Sequence, residues 1–399
     1  MSNPPSLTPA SLSRWRSPSL RVTSKVEGVN HASWIELFFD LVFVVVIEEL
    51  SHYLSEHLSL VGFLQFAALF VPCWWAWVLF TFYADRYDTD DVPHRLLILS
   101  GMLAAIFLAA TVHHAFGNSG VGFVWSYVAI RSIVLLLYMR SVMHVAVAWA
   151  NLRLYLTSYL PSTMLWIASL WFDGIPRYSL WALAMSIELA VPIAGSRLLV
   201  KTPAHPSHLP ERFGLLTLIV LGEAIISVAS ATANLNGNVI QILAAVGGFV
   251  IAASLWWLYF SFLESSIRIR SIASVHLYNY GHLPILLGLT TIAVGVGHTI
   301  QEVDQPVLET GTRWALCGGM ALYSLAIAII MFTACRRQVT IYSFALILVA
   351  LGLAIFGAGL PPLAIEGFLI TALVVKVSVD IFSAPPSPEA SEDEGSAEL

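Results

Sequence analysis

Carboxylates set inside an apolar stretch are the first chemistry this sequence offers. "WIELFFDLVFVVVIEEL", Trp34 to Leu50, is apolar enough for a membrane helix, yet it holds Glu36, Asp40, Glu48 and Glu49 and no base. An ionised group at the bilayer centre costs about 2.5–3.5 kcal/mol on insertion scales, so it persists where it is paired, neutralised or wet. Four ionisable residues fall near the middle of apolar stretches: Glu48, Arg131, Glu188 and Glu223. Glu36 and Asp40 lie one helical turn apart and share a face. Glu48 is rotated from Glu36 by about 120°. One face would thus carry acids from a helix rim to mid-membrane. Such a ladder suits protons or cations, because desolvated carboxylates can exchange protons. The plainer reading is internal ties, with Arg131 paired to Glu188, Glu223 or Glu48, and Asp40 capping a helix or pairing with Arg86.

Two other groupings could act. His113, His114 and His298 end two apolar stretches and are pH-sensing candidates. Glu302 and Asp304 lie near His298, but the spacing is no metal motif, and no metal or cofactor is expected. The segment "ADRYDTDDVPHR" offers Asp85, Asp88 and Asp91, which could hold Mg²⁺ against a diphosphate. A facing second cluster is missing, since "ESSIRIR" in the later half has one acid and two arginines. The alternative for this segment is capping Asp and Thr residues and salt bridges to Arg86 and Arg95. The aromatic runs "WWAWVLF" and "LWWLYF" read as packing or lipid-facing surface. Cys73, Cys317 and Cys335 form no metal or disulfide pattern and read as buried packing residues. There is no phosphate-binding glycine loop, nucleophile elbow or Cys-x-x-Cys, and the scattered basic residues do not favour nucleic acid.

The elements that must position these residues are membrane helices. Hydrophobic residues make up 58% of the 399 and charged residues 11%, where a soluble domain carries about 25% charged. Spans of about 20 apolar residues fall at 35–54, 60–83, 95–115, 121–140, 154–173, 178–198, 213–232, 239–263, 278–300, 314–334, 341–359 and 363–382. With the N-terminus inside, fifteen of the nineteen Lys and Arg fall on the cytoplasmic side; Arg177 and Arg313 fall outside, and Arg131 and Lys376 within spans. The first thirty or so residues, rich in Ser, Pro and Arg, lack the apolar core of a signal peptide. The last fifteen are acidic and Pro/Ser-rich, a composition that favours disorder.

The sequence also repeats. Glu36, Phe38 and Glu48 match Glu211, Phe213 and Glu223 at an offset of 175. Trp77, Phe80 and Phe82 match Trp257, Phe260 and Phe262 at an offset of 180. "LLILSG" ends at Gly101 and "LPILLG" at Gly288. Three matches in one order predict two halves of the same topology, with a site where they meet.

"HASWIELFFDLVFVVVI", "FYADRYDTDD", "ERFGLLTLIVLGEAIISVA" and "HLPILLGLTTIAVGVGHTI" resemble the bacterial low temperature requirement A family, from about Asn30 to Phe382. The resemblance implies an integral membrane protein of the bacterial inner membrane, with a stress-response role suggested by the family's cold-growth phenotype. "FFDLVF" is more weakly similar to the Phe-Ser-Asp signature of the lysosomal and bacterial potassium/proton channels. Here Phe39 stands at the Ser, and Leu215 stands where Asp40 would repeat.

The expected architecture is all-α. It is a polytopic membrane protein of about 12 transmembrane helices in two parallel six-helix repeats, residues 34–200 and 201–383, between disordered tails 1–33 and 384–399, both cytoplasmic. The expected function is movement of a proton, monovalent cation or small solute through a path lined by Glu36, Asp40, Glu48, Glu223, Arg131 and Glu188. The alternatives are a membrane-embedded Mg-dependent enzyme acting on a lipid or isoprenoid, and a stress-response scaffold. The bilayer is the expected surrounding, and a homodimer is left open.

Overall fold

The computed structural model describes residues 15, 17–21, 32–117, 120–199, 202, 204, 205, 207–232, 239–263, 272–333 and 337–383. The tail residues 1–14 and 384–399, the "ESSIRIR" segment and Cys335 lie outside the described residues. The protein is an all-α polytopic membrane protein. Its long helices are α1 (Trp34–Glu56), α2 (Leu60–Arg86), α3 (Val92–Thr111), α4 (Gly120–Val142), α5 (Ala148–Ala168), α6 (Ile175–Ala194), α7 (His208–Thr232), α8 (Val239–Leu258), α9 (Ile272–Gln301), α10 (Thr310–Thr333), α11 (Arg337–Phe356) and α12 (Pro362–Ser383). Among the described residues nine of these are long and apolar enough to cross a membrane; α1 carries five acids, Glu36, Asp40, Glu48, Glu49 and Glu56.

Local chemistry starts the helices. Ser33 and Glu36 form a reciprocal capping box at α1, the Ser33 N–H donating to Glu36 Oε2 at 3.1 Å. Ser59 Oγ accepts from Gly62 N–H at α2, and Asp91 Oδ1 from His94 N–H at α3.

The chain divides into two compact units, Met1–Glu223 with Ile267–Leu283, and Ala224–Ser266 with Pro284–Leu399. In the first unit α1 packs on α2 and α3, α4 on α2, α3 and α5, and α5 on α6. Its most buried helix is α2, where Trp74, Trp75, Trp77 and Phe80 are all buried. The run "WWAWVLF" is therefore inter-helix packing. Ser19–Leu20 (β1), inside the segment expected to be disordered, instead pairs antiparallel with Tyr87–Asp88 (β2). The physical reason is anchorage on both sides, since Arg21 N–H donates to Arg86 O at 2.9 Å and its guanidinium lies 3.5 Å from Glu36.

In the second unit α10 packs on α11, α11 on α12 and α12 on α8. Trp256 and Trp257 of "LWWLYF" are exposed at 45% and 41%, while Leu255, Leu258 and Tyr259 of the same run are buried. The repeated glycines share a purpose. A Cβ on Gly101 would strike the Phe80 ring, and one on Gly288 would sit 2.8 Å from Tyr323 N. Small residues let helices approach this closely.

One ion pair fastens α4 to α6. Arg131 Nη1 lies 2.9 Å from Glu188 Oε1, and both side chains are buried. Tyr127 OH donates to Glu188 Oε2 at 2.6 Å and Trp166 Nε1 to Oε1 at 3.2 Å. From α5, Ser162 Oγ and Thr163 Oγ1 accept from Arg131, whose guanidinium also lies over the Tyr159 ring at 5.1 Å. Breaking one side of a buried pair strands the other charge. Arg131→Leu or Glu188→Leu should each lower unfolding free energy in detergent by about 3–5 kcal/mol. The double replacement should cost less than the sum of the singles, and an additive double would refute the pairing.

Candidate functional site

The first turns of α1 and α7 supply an ionic cluster in the first unit. On α1, Glu36 and Asp40 are one turn apart; on α7, so are His208 and Arg212. Arg212 Nη2 meets Asp40 Oδ1 at 2.6 Å, and its Nη1 lies 3.3 Å from Glu36 Oε2. Trp77 Nε1 donates to the same Asp40 oxygen at 2.8 Å, and the Arg212 guanidinium lies 5.8 Å from the Trp77 ring centre. His208 Nε2 faces Glu36 at 3.0 Å while its Nδ1 faces Asp85 at 3.3 Å. Two carboxylates on two ring nitrogens are satisfied only by two N–H groups. Three acids thus meet three bases, counting Arg21. Glu36 and Asp40 each therefore have basic partners here.

The other acids of the α2–α3 connection are also engaged. Besides capping α3, Asp91 pairs with Arg140 at 2.6 Å, and Asp90 pairs with Arg95 at 2.7 Å. Asp85 faces His208, and Asp88 lies in β2. Asp85 and Asp91 are thereby directed to different partners. Burial pushes the phenol of Tyr87, beside them, up from its usual value.

Arg86 behaves differently. Its Nε donates to Thr202 O at 3.3 Å and its Nη1 to Phe82 O at 2.9 Å. Among the described residues no carboxylate lies within ion-pair distance of this buried guanidinium. Arg86 lines a cavity of about 390 Å³, with walls from α2, α4, α5, α6 and the start of α9. On α2 the lining runs from Trp75 to Arg86, about 16 Å along the axis at 1.5 Å per residue. That is about half of the roughly 30 Å hydrocarbon thickness. Trp75, Phe82, Tyr138 and Tyr155 make aromatic walls, and Asn151, Ser158, His276 and Asn279 add polar groups. Among the described residues the buried Asn279 Oδ1 and His276 Nε2 have no hydrogen-bond partner. Glu188 also lines the cavity, but its charge is met by Arg131.

Glu48 and Glu223 form a third arrangement. Glu223 is buried and hydrogen-bonds Ser51 of α1, close enough to Glu48 to feel its charge. Glu48 is exposed. Neither has an ion-pair partner among the described residues. His298, in the second unit, lies 4.0 Å from Glu302, while Asp304 accepts from Gln241. His114 is exposed, and His113 turns toward α1.

Sequence reasoning missed His208, Arg212 and the loose charge of Arg86. The signal available was "HLPERFG", where two basic residues one turn apart open a helix beside the repeated Glu211. It also missed Glu366, a buried acid of α12 whose Oε1 has no partner and which lies against Gly247.

The model of the bacterial low temperature requirement A protein family matches residues 31–378, and the chain belongs to that family. An uncharacterised protein of Rhizobium meliloti (strain 1021) is 30% identical over 318 residues, covering 71% of this chain and 76% of that one.

The cluster carries a testable pH dependence through His205. Its N–H donates to Asp85 Oδ2 at 3.0 Å, and its Nδ1 lies 3.1 Å from Ser207 Oγ and 3.3 Å from His208 N. Burial holds the imidazole below its usual value, so the fold favours the neutral ring that can accept at Nδ1. A lowered value means stability present above the unfolded pKa of about 6.5 and lost as pH falls below it. Amide protection at 207–212, corrected for intrinsic exchange, should fall between pH 7.5 and 5.5. His205→Asn, which keeps an acceptor that does not titrate, should fall less. An equal fall in both would remove His205 from the cap.

Proposed function

We propose that this member of the low temperature requirement A family is a transporter of the inner membrane, with both termini cytoplasmic, that binds a small organic anion in the α2–α6 cavity. The observation that carries the reading is Arg86, a buried guanidinium lining a half-membrane-deep cavity, with no carboxylate within ion-pair distance among the described residues. An uncompensated buried charge is costly, and a bound anion removes that cost. The aromatic walls favour an apolar body on the solute. Asn279 Oδ1 and His276 Nε2 offer the remaining contacts.

On the orientation that the Lys and Arg distribution favours, the Arg86 end of the cavity faces the cytoplasm and Glu188 marks its deep end. The Arg131–Glu188 pair there acts as a fastener that keeps a single net positive charge, that of Arg86, in the cavity. Transport requires that the far side open in another state, as in carriers that alternate access around a midplane site.

Movement of protons or monovalent cations is a second reading, favoured by one observation: Glu48 and Glu223 adjoin each other with no base among the described residues. Two neighbouring carboxylates hold a proton or cation between them more readily than either alone.

Thermal unfolding in detergent tests the anion site. Benzoate should raise the melting temperature and tetraethylammonium should not, since a ligand stabilises only the state it binds. Arg86→Gln should abolish the benzoate effect, and Ser158→Trp should block it by filling the cavity. Uptake of labelled benzoate into proteoliposomes should fall at least tenfold in both. Benzoate stabilisation that survives Arg86→Gln would sink the assignment. Proton flux down an imposed pH gradient, unchanged in a Glu48→Gln/Glu223→Gln double variant, would sink the second reading.

A further inference from the structure

The last two turns of α1 carry Glu49, His52 and Glu56, spaced i, i+3 and i+7 on one helix face. The 3₁₀ turn Val112–His114 that ends α3 lays His113 across that face. His113 Nε2 lies 3.0 Å from His52 Nδ1 and 3.1 Å from Glu49 Oε2. These three donor atoms all fall within 4.8 Å of one another.

Hydrogen bonds alone serve this convergence poorly. A neutral imidazole nitrogen holds at most one proton, and His113 Nε2 faces an imidazole nitrogen and a carboxylate oxygen together. A cation meets all three lone pairs at once. Tetrahedral Zn²⁺ with bonds of about 2.0–2.1 Å separates neighbouring ligand atoms by about 3.3 Å. The separations of 3.0 and 3.1 Å at His113 Nε2 are close to that value.

A second observation points the same way. Glu56 Oε2 lies 3.5 Å from His113 Nδ1, and Glu56 Oε1 lies 3.8 Å from His52 Nε2. Each histidine therefore turns one nitrogen toward the shared centre and the other toward Glu56. This is the carboxylate–histidine arrangement that orients imidazole ligands around a metal. α1 has no basic residue in its last turn, and a helix C-terminus favours positive charge.

We propose that Glu49, His52 and His113 bind a divalent transition metal of the Zn²⁺ class, with Glu56 as the positioning residue and a coordination position left open to solvent. His52 is exposed, so the metal has access from outside the helix bundle. The site clips the C-terminal end of α1 to the end of α3. It is separate from the cavity and from the Glu48–Glu223 pair. It also gives a purpose to Glu49, which has Ala224 at its repeat-equivalent position.

The test uses the full chain in detergent micelles, stripped with EDTA and free of any polyhistidine tag. Calorimetric titration with Zn²⁺ should give one site per chain with a Kd of about 10 µM or tighter. Co²⁺ should give the visible absorption bands of a four-coordinate N/O site. His52→Ala/His113→Ala should lose the site. Glu56→Gln should weaken binding by about 10–100-fold while keeping the Co²⁺ spectrum, the loss expected of an outer carboxylate. His114→Ala should bind as wild type. A fold check comes from the metal-free melting temperature, which should be unchanged in the double variant. Binding weaker than about 1 mM, or binding that persists in the double variant, would overturn the proposal.

Discussion

A charge inside an apolar helix bundle must meet an opposite charge or a fixed dipole, and the first unit of this protein is organised around that requirement. Arg212 illustrates it. One guanidinium reaches two carboxylates of α1 and lies over Trp77 of α2, so the start of α7 is seated against two helices at once. His208, one turn earlier, carries the same logic to Asp85 at the end of α2. Arg131 repeats it deeper in the bundle, bringing Glu188 of α6 together with hydroxyls of α5. Each tie is directional, so it sets helix rotation and depth in a way that apolar packing alone does not.

Once those ties are assigned, a few polar groups are left over, and they carry the functional argument. Among the described residues Arg86 hydrogen-bonds the carbonyl oxygens of Thr202 and Phe82, and it lines a cavity about half a membrane deep. Glu223 feels the charge of Glu48, and neither has an ion-pair partner among the described residues. Glu49, His52 and His113 converge at the end of α1 with Glu56 behind them. These leftovers are distinct in chemistry: a cation with room beside it, a pair of acids, and two imidazoles with a carboxylate.

The residues matched between the two halves of the sequence differ in environment. Gly101 and Gly288 both sit where a Cβ would collide with a neighbour, so the shared motif reflects close packing in each unit. Trp77 is buried and donates to Asp40, whereas its counterpart Trp257 is 41% exposed. Glu36 is held by three bases, while its counterpart Glu211 accepts the N–H of Ala32. A repeat preserves helix order and contact surfaces, but a polar side chain takes its role from whichever groups its own neighbours offer.

By itself the sequence determined what depends on short-range information. Apolar run length gave the helices and the membrane class. Capping by an Asp of the α2–α3 connection was also legible, and Asp91 fills that role, because a cap bonds amides only two or three residues away. The pairing of Arg131 was narrowed to three acids, and tertiary structure chose Glu188. The same is true of Glu36 and Asp40, whose partners Arg212 and His208 lie more than 170 residues on, and of His113, whose partners lie on α1. Electrostatic pairing acts over a few ångströms of space and is blind to chain separation. Which acid is a tie, which cation is left facing a cavity and which histidine meets a carboxylate were therefore decided only when the helices packed.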